Sequence, residues 1–138
     1  MRRQNTRHAA ADIAWIEDGS ALAENEGASA IVLGIHADIF RKKGFDRDSE
    51  TFKPGSGYAA FGEKLAELVA AYGKPVLLIF GDNHKFRVFH PFPRRAANLL
   101  ALEVFGAEHM HAVRVDVDTD LADPFGIRAI MNPAYEID

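Results

Sequence analysis

The stretch Lys74-Pro75-Val76-Leu77-Leu78-Ile79-Phe80-Gly81-Asp82-Asn83-His84 decides how this chain folds. An unbroken apolar run after a proline is the pattern of a strand buried on both faces. The run stops at Gly81, and a carboxylate and an imidazole follow. In open α/β sheets, ligands bind beyond the carboxyl ends of the strands. Residues 28–35, Ala-Ser-Ala-Ile-Val-Leu-Gly-Ile, repeat the arrangement and lead into His36-Ala37-Asp38. They too predict a strand buried on both faces.

Between these runs, Phe61, Leu65, Leu68, Val69 and Tyr72 fall on one helical face. The spacing predicts a helix over 57–72, with Ser56 as its cap and Gly73 as its stop. Strand, helix and strand in this order imply a parallel pair. Upstream, residues 7–26 read as a helix capped by Thr6 and ended by Gly27, with Ile13, Trp15, Ile16 and Leu22 as its apolar stripe. Residues 40–56, which include Arg41-Lys42-Lys43-Gly44, form a long polar loop, and such loops are often functional. Downstream, 86–89 reads as a short strand ended by Pro91 and Pro93, and 99–105 suits a strand or a helix. Residues 110–118 alternate Val113, Val115 and Val117 with Arg114, Asp116 and Asp118, as a half-exposed antiparallel strand does. Residues 125–131 suit a further strand. The fold class is α/β, a mixed sheet with helices packed on one face, in a single domain over 1–138.

Composition narrows the function. The 138 residues are 48% hydrophobic and 26% charged, as a globular chain is. Zero cysteines exclude a disulfide scaffold, a cysteine-ligated zinc and a thiol nucleophile. A net charge of -4 argues against sequence-specific or general nucleic-acid binding, which needs clustered basic charge. The longest apolar runs are far below the roughly 20 residues of a membrane span, so no membrane partner is expected. The basic start from Met1 to His8 is not followed by an apolar segment, which points to a cytoplasmic chain. A fragment of a longer precursor would instead be periplasmic.

Asp82-x-His84 is the leading chemical signal. A carboxylate and an imidazole at this spacing can face one metal ion, and the pair suits zinc, manganese or iron. His36 holds the corresponding place after the other strand, so adjacent parallel strands would set His36, Asp82 and His84 on one rim. The bland alternative is a turn-capping Asp82 with His36 and His84 on the surface. Gly55-Ser56-Gly57 lacks the preceding strand of a dinucleotide loop and reads as a helix start. Asp116-x-Asp118-x-Asp120 lacks the glycine and glutamate of a calcium loop and reads as a polar turn. His109-Met110-His111 reads as structural. No serine lies in a nucleophile elbow, whereas metal-activated water needs no protein nucleophile.

The string from Lys74 to Arg87 resembles the C-terminal part of calcineurin-like metallophosphoesterases, where a buried strand ends in Gly-His-x-His. One bacterial branch writes this motif Gly-Asp-x-His, as Gly81-Asp82-Asn83-His84 does here. Residues 30–40 resemble the preceding strand, and Val104-Phe105-Gly106 with residues 111–118 resemble the closing strands. The resemblance spans roughly 7–131. It implies half of an α/β sandwich, with His36, Asp82 and His84 as ligands of a divalent metal (Mn, Fe or Zn), about one per chain or none. Asn83 and Arg87 would face the substrate, a phosphoester small molecule. Hydrolysis by a metal-bound hydroxide is the implied reaction. The family's first half, with its Asp-x-His, Gly-Asp and Gly-Asn-His motifs, has no counterpart before residue 28. The chain is therefore expected to be a truncated or shortened phosphoesterase with an incomplete dinuclear centre. The alternatives are a non-catalytic α/β remnant or binding module, and a small-molecule binder lidded by residues 40–56.

Half of a two-sheet sandwich would leave an apolar sheet face open, which monomers seldom tolerate. A homo-oligomer is expected, with the sheet at or near its interface. Size-exclusion chromatography with light scattering at micromolar concentration should give a dimer or larger species, and a monomer would contradict this expectation.

Overall fold

A computed structural model describes residues 2–135, with side chains from Ala9 onward. Ten elements follow one another: α1 (Arg2–Asn25), β1 (Ile31–Gly34), β2 (Phe45–Asp46), β3 (Thr51–Phe52), α2 (Ala59–Tyr72), β4 (Val76–Phe80), β5 (Arg87–Phe89), β6 (Leu99–Glu103), β7 (Ala112–Val117) and β8 (Phe125–Ile130). The main sheet runs β1-β4-β6-β5. β1, β4 and β6 are parallel and β5 is antiparallel to β6. The fold is therefore mixed α/β, as the sequence implied, and residues 99–103 resolve to a strand. β7 and β8 form a separate antiparallel hairpin.

Register assigns the two sheet faces. Val76, Leu78 and Phe80 align with Leu99, Ala101 and Glu103 on one face. Both helices pack there: Ile16 of α1 and Leu65, Ala66, Val69 and Tyr72 of α2 share one buried cluster with Val76, Leu78 and Phe80. On the opposite face, Leu77 and Leu102 are fully buried, while Val32 and Val88 of the two edge strands are 49% and 44% exposed. The second face is thus closed at its centre and open only at its edges, contrary to the open face expected of a half sandwich.

Several local expectations change. β1 is not buried on both faces, because it is an edge strand whose Val32 and Gly34 are exposed. α1 begins at Arg2, so Thr6 lies inside it. Gly27 does close it in the left-handed region, with φ 65°. Only Ile16 and, in part, Ile13 of the expected stripe face inward, whereas Trp15 and Leu22 are more than half exposed. Ser56 does not cap α2; its hydroxyl accepts from Tyr58 N–H one turn earlier, at 3.3 Å. Gly73, at φ 69°, ends α2 as expected.

Residues 40–56 are not a free loop. They carry the short β2–β3 hairpin, fixed by aromatic residues. The Phe40 ring meets those of Phe45, Phe80, Phe89 and Phe92 at 5.2–6.1 Å, mostly edge to face. Such pairs contribute about 0.5–1.5 kcal/mol each beyond area burial. Buried Glu50 adds a polar clamp: its carboxylate accepts from the N–H groups of Arg94 and Arg95 at 3.0–3.2 Å. The hairpin's Phe52 ring also lies against α2 where Gly62 leaves room; a Cβ there would stand 2.0 Å from that ring. Gly62→Ala should therefore cost about 1–3 kcal/mol by overpacking, despite alanine's better helix propensity. A urea midpoint equal to or above that of the native chain, at unchanged slope, would refute this.

Candidate functional site

The carboxyl ends of β1, β4 and β6 meet at one rim. Because β5 runs antiparallel, its first residue, Arg87, arrives at the same rim opposite Glu103. Arg87 is the hub. Its Nε donates to Glu103 Oε2 at 2.5 Å, and its Nη2 reaches Asp38 Oδ2 at 2.9 Å. Asp38 and Glu103 are 1% and 0% exposed. Two buried carboxylates would each cost several kcal/mol unpaired, and one guanidinium fork serves both.

Asn83 completes this floor. Its side-chain amide donates to Asp38, and its backbone N–H donates to Glu103 Oε1 at 3.1 Å. Asp38 also accepts from Phe40 N–H at 2.9 Å, which fixes the exit from β1. The flanking residues Asp82 and His84 both adopt positive φ, 87° and 63°. The left-handed region costs a non-glycine residue roughly 1–2 kcal/mol, and here it turns Asn83 into the network. Among the described residues, no buried side-chain N or O atom lacks a hydrogen-bond partner.

Outside this floor opens a cleft of about 850 Å3. Arg41, Lys42, Arg47, Lys53, Lys85 and Arg87 line it, against the carboxylates of Asp38, Asp46 and Asp48. Six cations face three lining carboxylates, and Asp82 and Glu103 pair with Arg41 and Arg87, so a small excess of positive charge remains there in a chain whose net charge is -4. Lys53 Nζ is held by the Lys42 carbonyl at 2.9 Å. Arg47 and Arg87 each lie over the Phe89 ring, 5.1 and 5.2 Å from its centre. The Asp46 carboxyl is held below the usual carboxylate range, first by the N–H of Asp48, so it stays charged at neutral pH. The arrangement can bind an anion by guanidinium and ammonium groups already set in place.

The expected metal ligands are distributed differently. β1 and β4 are adjacent and parallel, so His36, Asp82 and His84 do leave the sheet at one rim. His36 is exposed, and its carbonyl accepts from Gly81 N–H at 3.2 Å. Asp82 pairs with Arg41 at 2.7 Å. His84 is also exposed, its ring lying against Gly106, where an added Cβ would stand 2.1 Å away. Among the described residues, no three His, Cys, Asp or Glu side chains form a group that could hold a metal ion.

Sequence reading passed over Asp38, Arg41 and Glu103. Asp38 had a visible signal, as a carboxylate just beyond the expected strand 28–35. Glu103 had another, a lone charge closing an apolar run. Arg41 and Lys53 gave none, because their convergence depends on how the β2–β3 hairpin folds back. His109 and His111 stack with ring centres 5.5 Å apart, and His111 accepts from Asn132 N–H at 3.0 Å. This fits their reading as structural.

Arg87→Met should leave Asp38 and Glu103 buried without a cation and cost about 3–5 kcal/mol at neutral pH, as breaking a buried ion pair does. Chemical denaturation checks it, and a loss under about 1 kcal/mol would show that water replaces the guanidinium. Comparison with known proteins adds no relative: no family model, curated protein or solved structure matches the chain.

Proposed function

We propose that this chain is a phosphoester-binding module, whose cationic cleft at the carboxyl end of the sheet takes the phosphate group of a small molecule. The group Lys42, Arg47, Lys53 and Lys85 around one 850 Å3 cleft, none of them in an ion pair among the described residues, carries this reading. Guanidinium groups match phosphate oxygens in a bidentate manner and hold their charge at all working pH values. The cleft also has the size of sites that enclose a whole small-molecule ligand, about 300–1,000 Å3. The resemblance of Gly81-Asp82-Asn83-His84 to a metallophosphoesterase motif points to the same ligand chemistry.

Metal-dependent phosphoester hydrolysis is the second reading. It is favoured by the in-register pairing of β1 with β4, which brings His36, Asp82 and His84 to a common rim. These residues would hold a manganese, iron or zinc ion only after Asp82 leaves Arg41 and His84 leaves Gly106. Homo-oligomer formation has support from β1, an edge strand with no charged side chain and with Val32 half exposed. Among the described residues no helix is long and apolar enough to cross a membrane; a cytoplasmic location is proposed from the sequence.

Inorganic phosphate tests the binding reading. With a Kd near 1 mM, 10 mM phosphate should add about 1.4 kcal/mol of stability, which raises the melting temperature by several degrees. Chloride at equal ionic strength should not. Equal melting curves in the two salts would end the proposal. The hydrolytic reading predicts about one metal per chain after purification without chelator, and loss of that metal in folded His84→Ala. A metal-free chain that leaves an aryl phosphate intact with added manganese would end that reading and leave phosphate binding standing.

A further inference from the structure

We infer that the cleft takes a ligand carrying two or more linked phosphate groups rather than a single phosphate. This inference rests on the phosphate-binding reading and deepens it. A phosphate group has five heavy atoms and, at about 30 Å3 for the share of one water, needs on the order of 100 Å3. The cleft offers about 850 Å3. Its cations are also spread over three segments: Lys42 and Arg47 before and after β2, Lys53 after β3, and Lys85 between β4 and β5.

These cations are available, whereas those at the floor are engaged. Arg87 is committed to Asp38 and Glu103, and Arg41 to Asp82. Among the described residues, Lys42, Arg47, Lys53 and Lys85 have no carboxylate within ion-pair distance, although Asp46 and Asp48 line the same cleft. With Asp46 and Asp48 in the same cleft, these four cations leave a positive excess that is spread over three segments instead of gathered at one point. They suit a chain of phosphates that lies along the lip and meets Lys42, Arg47, Lys53 and Lys85 in turn.

Calorimetry of the full chain with orthophosphate, pyrophosphate and tripolyphosphate at low ionic strength tests this. Affinity should rise by about tenfold or more from orthophosphate to tripolyphosphate, as added charge contacts outweigh the first one. ATP as a further probe separates the two sources of the chemistry. Binding of ATP as tight as tripolyphosphate assigns a nucleoside-linked chain, and weaker binding assigns a free one; both uphold the inference. Lys85→Glu and Lys42→Glu, at exposed positions that leave folding intact, should each lower the preference for tripolyphosphate over orthophosphate about fivefold. Equal affinity for all three phosphates would overturn the inference while the single-phosphate reading survives. Binding of none of them would remove both. An unchanged preference in the two variants would also overturn it.

Discussion

The guanidinium of Arg87 is the constraint on which the rim of the sheet depends. Asp38 lies on the segment that leaves β1, Glu103 ends β6 and Arg87 opens β5, so one side chain joins the exit of β1 to the paired ends of β5 and β6. The two carboxylates are buried and, among the described residues, have no other cation, which makes their positions and that of Arg87 mutually dependent. Asn83 adds two hydrogen bonds and brings the exit of β4 into the same unit. A buried ionic cluster of this kind is weak evidence for net stability, because desolvation offsets most of the Coulomb gain. What it fixes is geometry, and geometry is what a ligand-binding rim requires.

A second, apolar constraint acts on the other wall of the cleft. Phe40 follows Asp38 by two residues, and its ring anchors the β2–β3 hairpin through Phe45 and Phe92. The cations of this segment, Arg41, Lys42, Arg47 and Lys53, stay at the surface while Phe40 and Phe45 are inside. Glu50 pins the far end by accepting the N–H groups of the 94–95 turn. The segment thus presents Arg41, Lys42, Arg47 and Lys53 from a fixed frame instead of a mobile loop. A fixed frame lowers the entropy lost when an anion binds.

The two readings of function use the same rim in different ways. Phosphate binding needs only the cations as they stand. Hydrolysis at His36, Asp82 and His84 needs the Arg41–Asp82 pair to open, a surface ion pair whose loss costs about 0–1 kcal/mol, and needs His84 to leave Gly106. The positive φ at Asp82 and His84 is common to both readings, since it aims Asn83 inward.

The main strands and helices were legible in the sequence because their signals are local. The apolar run at 76–80, the 3.6-residue period of α2 and the alternation of β7 report on burial within a few residues, whereas the run at 99–105 suited a strand or a helix until strand pairing decided it. Gly27 and Gly73 mark helix ends because only glycine enters the left-handed region at little cost. The sequence also placed chemistry at the exits of β1 and β4, since ligand sites gather there in parallel sheets. Tertiary structure alone decided which residues converge at that rim. Asp38, Arg87 and Glu103 are 49 and 16 residues apart along the chain, and nothing in their local patterns links them. Whether β1 is central or at an edge likewise depends on strand order, which no single run encodes. The sequence determined the elements, and packing between distant segments determined the site, because long-range contacts leave no periodic trace in the chain that makes them.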